Sequence, residues 1–175
     1  MRARSLALAV GLMVSVAAAV GLETGLAAQK FPWQTEQGGA QGKTPPAVTF
    51  VGPEQIEVAA RQPQEVELHF RVAQGLHINS HAPHSKNLIP TQLMVADEGG
   101  LNTTAVDFPP GTDTSFSFAP TEKLSVYTGD VVLRAHLTAT RGDHLLQGAL
   151  RYQACDANAC MPPRKIPVAV SVLAK

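Results

Sequence analysis

The chain has 175 residues, 14 Lys+Arg against 14 Asp+Glu, and 45% apolar against 16% charged side chains; this is a globular composition, long enough for one domain with a tail. A formal net charge of zero and the lack of any cluster of five basic residues speak against a nucleic-acid surface. Two cysteines exclude a disulfide-dense scaffold and any four-cysteine zinc or iron–sulfur site, and no stretch after residue 22 is long and apolar enough to span a bilayer.

Taken in chain order, Arg2 and Arg4 precede an uncharged apolar run from Leu6 to Val20, and small residues and Glu23 follow. This is the layout of a secretory signal peptide. Residues 1–28 are expected to form it, with cleavage near Ala27 or Ala28; an uncleaved anchor is the alternative, since Leu6 to Leu22 is at the lower limit for a spanning helix. Either way the rest of the chain is expected outside the cytoplasm, where two cysteines can form a lasting disulfide. Residues 29–46 (QKFPWQTEQGGAQGKTPP) are rich in Gln, Gly and Pro and show no regular period, so they read as a flexible lead carrying Phe31 and Trp33.

From Ala47 to the C-terminus, residues 47–175, the dominant period is 2. In Glu65–Val72 the side chains of Val66, Leu68, Phe70 and Val72 face one way and Glu65, Glu67, His69 and Arg71 the other, which predicts a strand with one buried face. Asp130–Thr140 repeats the pattern, and Ile166, Val168, Val170 and Val172 alternate again. Weaker strands are predicted at Ala47–Val51, Gln55–Ala59, Leu76–Asn79, Thr91–Ala96, Leu101–Phe108, Leu124–Tyr127 and Leu146–Cys155, separated by Gly, Pro and Asp turns. Eight to ten short strands and no amphipathic helix after residue 28 predict an all-β antiparallel sandwich.

The strongest chemical signal is Tyr152–Pro163, YQACDANACMPP. Cys155 and Cys160 flank Asp156-Ala157-Asn158-Ala159, whose Asp and Asn favour a turn. A disulfide here would close a ring of roughly six residues and contribute about 2 kcal/mol by chain entropy, the low end for such bonds. A staple built for stability would span more chain, whereas a short loop suits a bond opened and closed by another thiol. The spacing is not Cys-x-x-Cys, and tight hairpin disulfides serve both inert and redox roles. Asp156 beside Cys155 disfavours a thiolate there, whereas Arg164 and Lys165 beyond Cys160 favour one, so Cys160 is the better nucleophile candidate. His77, His81 and His84 form a second cluster with metal-like spacing, but in a stretch with Pro83 and turn residues rather than on a helix. They read as polar loop residues; copper or zinc binding, with or without the cysteines, is the alternative.

Three segments together carry a resemblance: GLHINSHAPHSKNLIPTQL at 75–93, LSVYTGDVVLRA at 124–135 and LRYQACDANACMPPRKIPVAV at 150–170. They resemble the family of N-terminal periplasmic domains of the bacterial thiol:disulfide interchange protein DsbD, over roughly residues 47–173. The resemblance implies an immunoglobulin-like β-sandwich and a periplasmic location. It implies Cys155 and Cys160 as the redox pair, with Cys160 forming mixed disulfides with partners. It implies an aromatic cap over the pair, for which Phe116 and Phe118 in TSFSF are the candidates; ordinary core phenylalanines are the competing reading. Tyr152, Asp156, His77 and Asn79 would neighbour the pair. This chain departs from the best-known member in having four rather than five residues between the cysteines, and His77 and Asn79 where that member has tyrosines.

The expected function is a stand-alone thiol–disulfide relay, a protein-disulfide reductase in activity. Electrons would come from a membrane-embedded or thioredoxin-like donor protein and pass to periplasmic disulfide-containing acceptors. No cofactor and no small-molecule substrate are expected, since the sulfurs themselves carry both electrons. The competing readings are an immunoglobulin-like envelope binding module with an inert disulfide, and a Cys/His copper- or zinc-handling protein.

Overall fold

A computed structural model describes residues 45–96 and 99–175. The expected signal peptide (1–28) and the lead up to residue 44 lie outside the described residues. The described residues form twelve strands: β1 Val48–Gly52, β2 Gln55–Val58, β3 Gln64–Val72, β4 His77–Asn79, β5 Gln92–Ala96, β6 Leu101–Asp107, β7 Thr112–Phe116, β8 Ala119–Tyr127, β9 Asp130–Ala139, β10 Gly142–Tyr152, β11 Ala154–Cys155 and β12 Arg164–Ala174.

Alternation dictates burial in the long strands. Val66, Leu68, Phe70 and Val72 of β3 are buried, as are Val131, Leu133, Ala135, Leu137 and Ala139 of β9 and Val168, Val170, Val172 and Ala174 of β12. One sheet has the order β1-β3-β9-β6 and a second β2-β12-β10-β5. Their inner faces share one core, so each sheet buries an apolar face and leaves the other to water. All pairings in these two sheets are antiparallel except β12–β2, which is parallel. The chain crosses from the first sheet to the second at Thr140-Arg141, between β9 and β10.

A third sheet, β11-β4-β8-β7, carries the features that bear on function. Here the structure departs from the sequence expectations. Strand β7 lies outside the predicted strands, because Thr-Asp-Thr-Ser-Phe has no apolar alternation; it exists through its antiparallel register with β8, Thr112↔Val126 to Phe116↔Ala119. That pairing also draws the start of β8 back to Ala119, ahead of the predicted Leu124. The predicted strand Leu146–Cys155 divides into β10 and β11 at Gln153, because the two pieces belong to different sheets.

Candidate functional site

The site is made where the chain changes sheets. Strand β10 pairs with β12 as far as Tyr152↔Arg164. One residue later Ala154 and Cys155 pair instead with Ile78 and His77 of β4. Gln153 holds this switch: its Nε2 donates to Met161 O at 3.2 Å, its Oε1 accepts from Asn79 Nδ2 at 3.3 Å, and its backbone O accepts from Asn79 N at 3.4 Å. Beyond Cys155 the loop folds on its own Asp156, whose Oδ1 accepts the backbone N–H of Asn158 at 2.7 Å and of Ala159 at 2.8 Å. This is the turn chemistry Asp provides. It brings Cys160 back opposite Cys155, and the two form a disulfide with S–S 2.01 Å and Cα–Cα 3.9 Å. The two cysteines differ sharply in environment: Cys155 is 0% exposed, while Cys160 is exposed.

Over this loop lies the β7–β8 hairpin, whose two-residue turn is Ser117-Phe118. Ser117 Oγ donates to Ala157 O at 2.7 Å, tying the hairpin tip to the disulfide loop. Phe116 stacks on His77 with ring centroids 3.9 Å apart and planes 15° apart, and Phe118 stacks on Phe116 at 5.5 Å. Neither ring belongs to the core: Phe116 is half-buried and Phe118 is 38% exposed. The hairpin can approach because Gly111, just ahead of β7, has no side chain; a Cβ there would collide with Ser125 Oγ and the Cβ of Ser80. An open, mostly apolar hollow of about 590 Å³ adjoins the stack, lined among others by Leu76, His77, Thr114, Phe116 and Ala157, with Arg71 and Asp130 on its wall.

The electrostatics follow from burial. His77 is 3% exposed, and desolvation lowers its pKa against an opposing pull from Asp156. The Asp156 carboxyl is held below the usual carboxylate range by the two N–H groups it accepts, so its charge is directed into its own turn. Tyr152 is buried under the switch, and desolvation raises its phenol against opposing pulls from the Val48 backbone and Arg164. Asn79 is buried and donates to Ile89 O at 3.0 Å as well as to Gln153. Arg164 and Lys165 open β12 opposite Tyr152 and Arg151.

The structure brings Cys155, Cys160, Asp156, His77, Phe116 and Phe118 together, with Tyr152 and Asn79 on the adjoining strands. It disperses the histidines. His77 lies under Phe116, His81 stacks on Phe108 at 4.0 Å and contacts Thr91 O through Nδ1, and His84 Nε2 pairs with Asp113 at 2.7 Å. Among the described residues no three His, Cys, Asp or Glu side chains are grouped to hold a metal. Ser117 and Gln153, which hold the hairpin tip and the strand switch in place, are positions that sequence reasoning misses. They sit inside the motifs TSFSF and YQAC, but their partners are distant in the chain.

The fold and site define an all-β, antiparallel sandwich domain carrying one disulfide on an irregular loop. Residues 47–171 match the family described as "Thiol:disulfide interchange protein DsbD, N-terminal", and the chain belongs to that family. Its fold is accordingly the immunoglobulin-like β-sandwich, and it is a thiol–disulfide interchange domain by family. Among solved structures, the reduced N-terminal domain of DsbD from Neisseria meningitidis is 19% identical, with 64% of this chain and 80% of that one covered and a TM-score of 0.44. The N-terminal periplasmic domain of ScsB from Proteus mirabilis is 15% identical, with 70% of this chain and 44% of that one covered and a TM-score of 0.48. No curated protein matches the chain. Among the described residues no helix is long and apolar enough to cross a membrane.

Proposed function

We propose that this protein relays reducing equivalents in the periplasm through Cys155 and Cys160, taking electrons from a membrane-embedded or thioredoxin-like donor and passing them to disulfide-containing acceptor proteins. The observation that carries the reading is the asymmetry of the pair. An exposed Cys160 is open to a visiting thiol or disulfide, while a fully buried Cys155 is reserved for the intramolecular step. Thiol–disulfide exchange depends on access and on which sulfur is attacked, and this asymmetry bears on both. An inert staple would not need one cysteine exposed beside a hairpin tip tied down by the Ser117–Ala157 hydrogen bond.

The exchange runs in two steps. In the reduced protein the Cys160 thiolate attacks a partner disulfide, forming a mixed disulfide and releasing one partner thiolate. Cys155 then attacks the Cys160 sulfur, closing the Cys155–Cys160 bond and releasing the second partner thiol. The partner gains two electrons and two protons, and this protein loses them. Reversal of the same steps with a dithiol donor restores the reduced pair. The stacked Phe116 and Phe118 act as a cap that limits random exchange and moves aside on docking.

The test is trapping from periplasmic extract together with the reduction potential. Cys155→Ser is expected to accumulate mixed disulfides through Cys160, and Cys160→Ser to accumulate none. Equal trapping by both variants overturns the roles. A potential below about −300 mV would mark the bond as structural and overturn the relay, since labile pairs lie above that value.

A further inference from the structure

The exchange imposes one further requirement: Cys155 must lose a proton where it is buried. A thiol in apolar surroundings favours its protonated form, and only the thiolate attacks. Asp156 is a poor base for this proton, because the N–H groups of Asn158 and Ala159 on its Oδ1 hold its carboxyl below the usual carboxylate range.

His77 stands directly opposite Cys155 in the β11–β4 ladder. Directly opposed residues project to the same face, with Cβ atoms about 4.5–5.5 Å apart, so the imidazole and the Cys155 side chain lie on one face of the sheet. His77 is 3% exposed, and its Nε2 has no hydrogen-bond partner. A buried ring nitrogen left unpaired is costly and calls for a reason. Phe116 covers the ring and fixes its plane. We propose that His77 is the general base for Cys155. Its imidazole takes the thiol proton as the Cys155 sulfur attacks Cys160 in the mixed disulfide, and passes that proton on to the departing partner thiolate. In the reverse direction it protonates Cys155 as the incoming thiol takes over the Cys160 sulfur. No electrons pass through the ring.

The surrounding charges are compatible with this task. Asp156, next to Cys155, favours the protonated ring and so stabilises the state formed during attack. Arg71 and Asp130 face the same hollow but are paired with each other at 2.7 Å. From β8, Tyr127 donates its hydroxyl to Pro109 O and accepts from His81 N. From β7 the neutral Phe116 stacks on the ring, and the neutral Thr114 lines the same hollow.

This inference rests on the relay reading, and one experiment separates the two. The reduced protein is mixed with 5,5′-dithiobis(2-nitrobenzoate), and release of thionitrobenzoate is followed in two phases: attack by Cys160, then displacement by Cys155. In His77→Phe the second phase is expected to slow by about tenfold or more, while the first changes by less than about threefold. His77→Ala is expected to be equally slow and to recover with added imidazole. Equal slowing of both phases, an unchanged second phase or no imidazole rescue would overturn the role. Should the variants not fold, the wild-type second phase decides. Its pH profile must show an inflection at the His77 pKa read from the ring's NMR shift, and a profile with thiol ionisation alone overturns the inference. Failure of both cysteines to react at all sinks the relay reading itself, and this inference with it.

Discussion

The two large sheets and the small one are built on different terms. The sandwich of β1-β3-β9-β6 on β2-β12-β10-β5 buries aliphatic side chains at alternate positions, with Leu68, Leu133, Leu146 and Val170 at 0–1% exposure. The buried polar residues among those described are His77, Asn79, Ser80, Thr91 and Ser125, and all lie on or against β4 and β8. Of the four buried side-chain atoms without a partner among the described residues, His77 Nε2, Asn79 Oδ1 and Ser80 Oγ belong to the same region; Thr103 Oγ1 lies elsewhere, in β6. One part of the molecule is thus optimised for burial, and the other accepts unpaired polar groups in and around the small sheet that also carries Cys155. Such departures from good packing concentrate where a protein does chemistry.

This contrast can be broken by mutation. Leu68→Ala, in the sandwich, is expected to cost about 2–5 kcal/mol by denaturant titration, with the rate at which dithiothreitol reduces the folded protein unchanged. A matching rise in that rate would mean that the two regions are not separable. Ser117→Ala removes the bond to Ala157 O. It is expected to speed reduction up to about fivefold, the worth of a hydrogen bond of about 1 kcal/mol, while global stability moves by less than about 1 kcal/mol. No change in reduction rate would show that the hairpin tip does not guard the bond.

The smallest effect is in pH. Burial lowers the pKa of His77 from its ordinary 6.5, so the unfolded chain binds a proton more readily than the folded one. Stability from the neutral ring is present above 6.5 and is lost as pH falls through the folded value. Asp156 works in a lower window: its folded value lies below the ordinary 3.8, so its contribution persists until pH falls through that range. Between pH 7.5 and 5 the wild type should therefore lose more stability than His77→Phe, measured by urea midpoints. Parallel curves would show that burial of His77 carries no proton linkage.

Much of the fold is legible in the amino-acid order. The period-2 patterns of β3, β9 and β12 give their buried faces residue by residue, since alternation is a property of the single strand. The Cys155–Cys160 pair and its Asp-Asn turn are equally legible. Strand β7 is not, because its apolar content is too low to signal a face and its existence depends on β8. The division of β10 from β11 is hidden for the same reason, since Gln153 acts through Asn79 and Met161.

The chain's own order therefore determined an all-β sandwich and a short cysteine loop, because hydrophobic alternation and turn-forming residues act over a few positions. Only the assembled sheets decided which cysteine is buried and which is open to a partner. They also decided that His77, and not His81 or His84, stands opposite Cys155, and that Phe116 and Phe118 stack on His77 and on each other rather than fill the core. Those outcomes depend on registers between β4, β7, β8 and β11, which join residues far apart in the chain, and no local pattern encodes them.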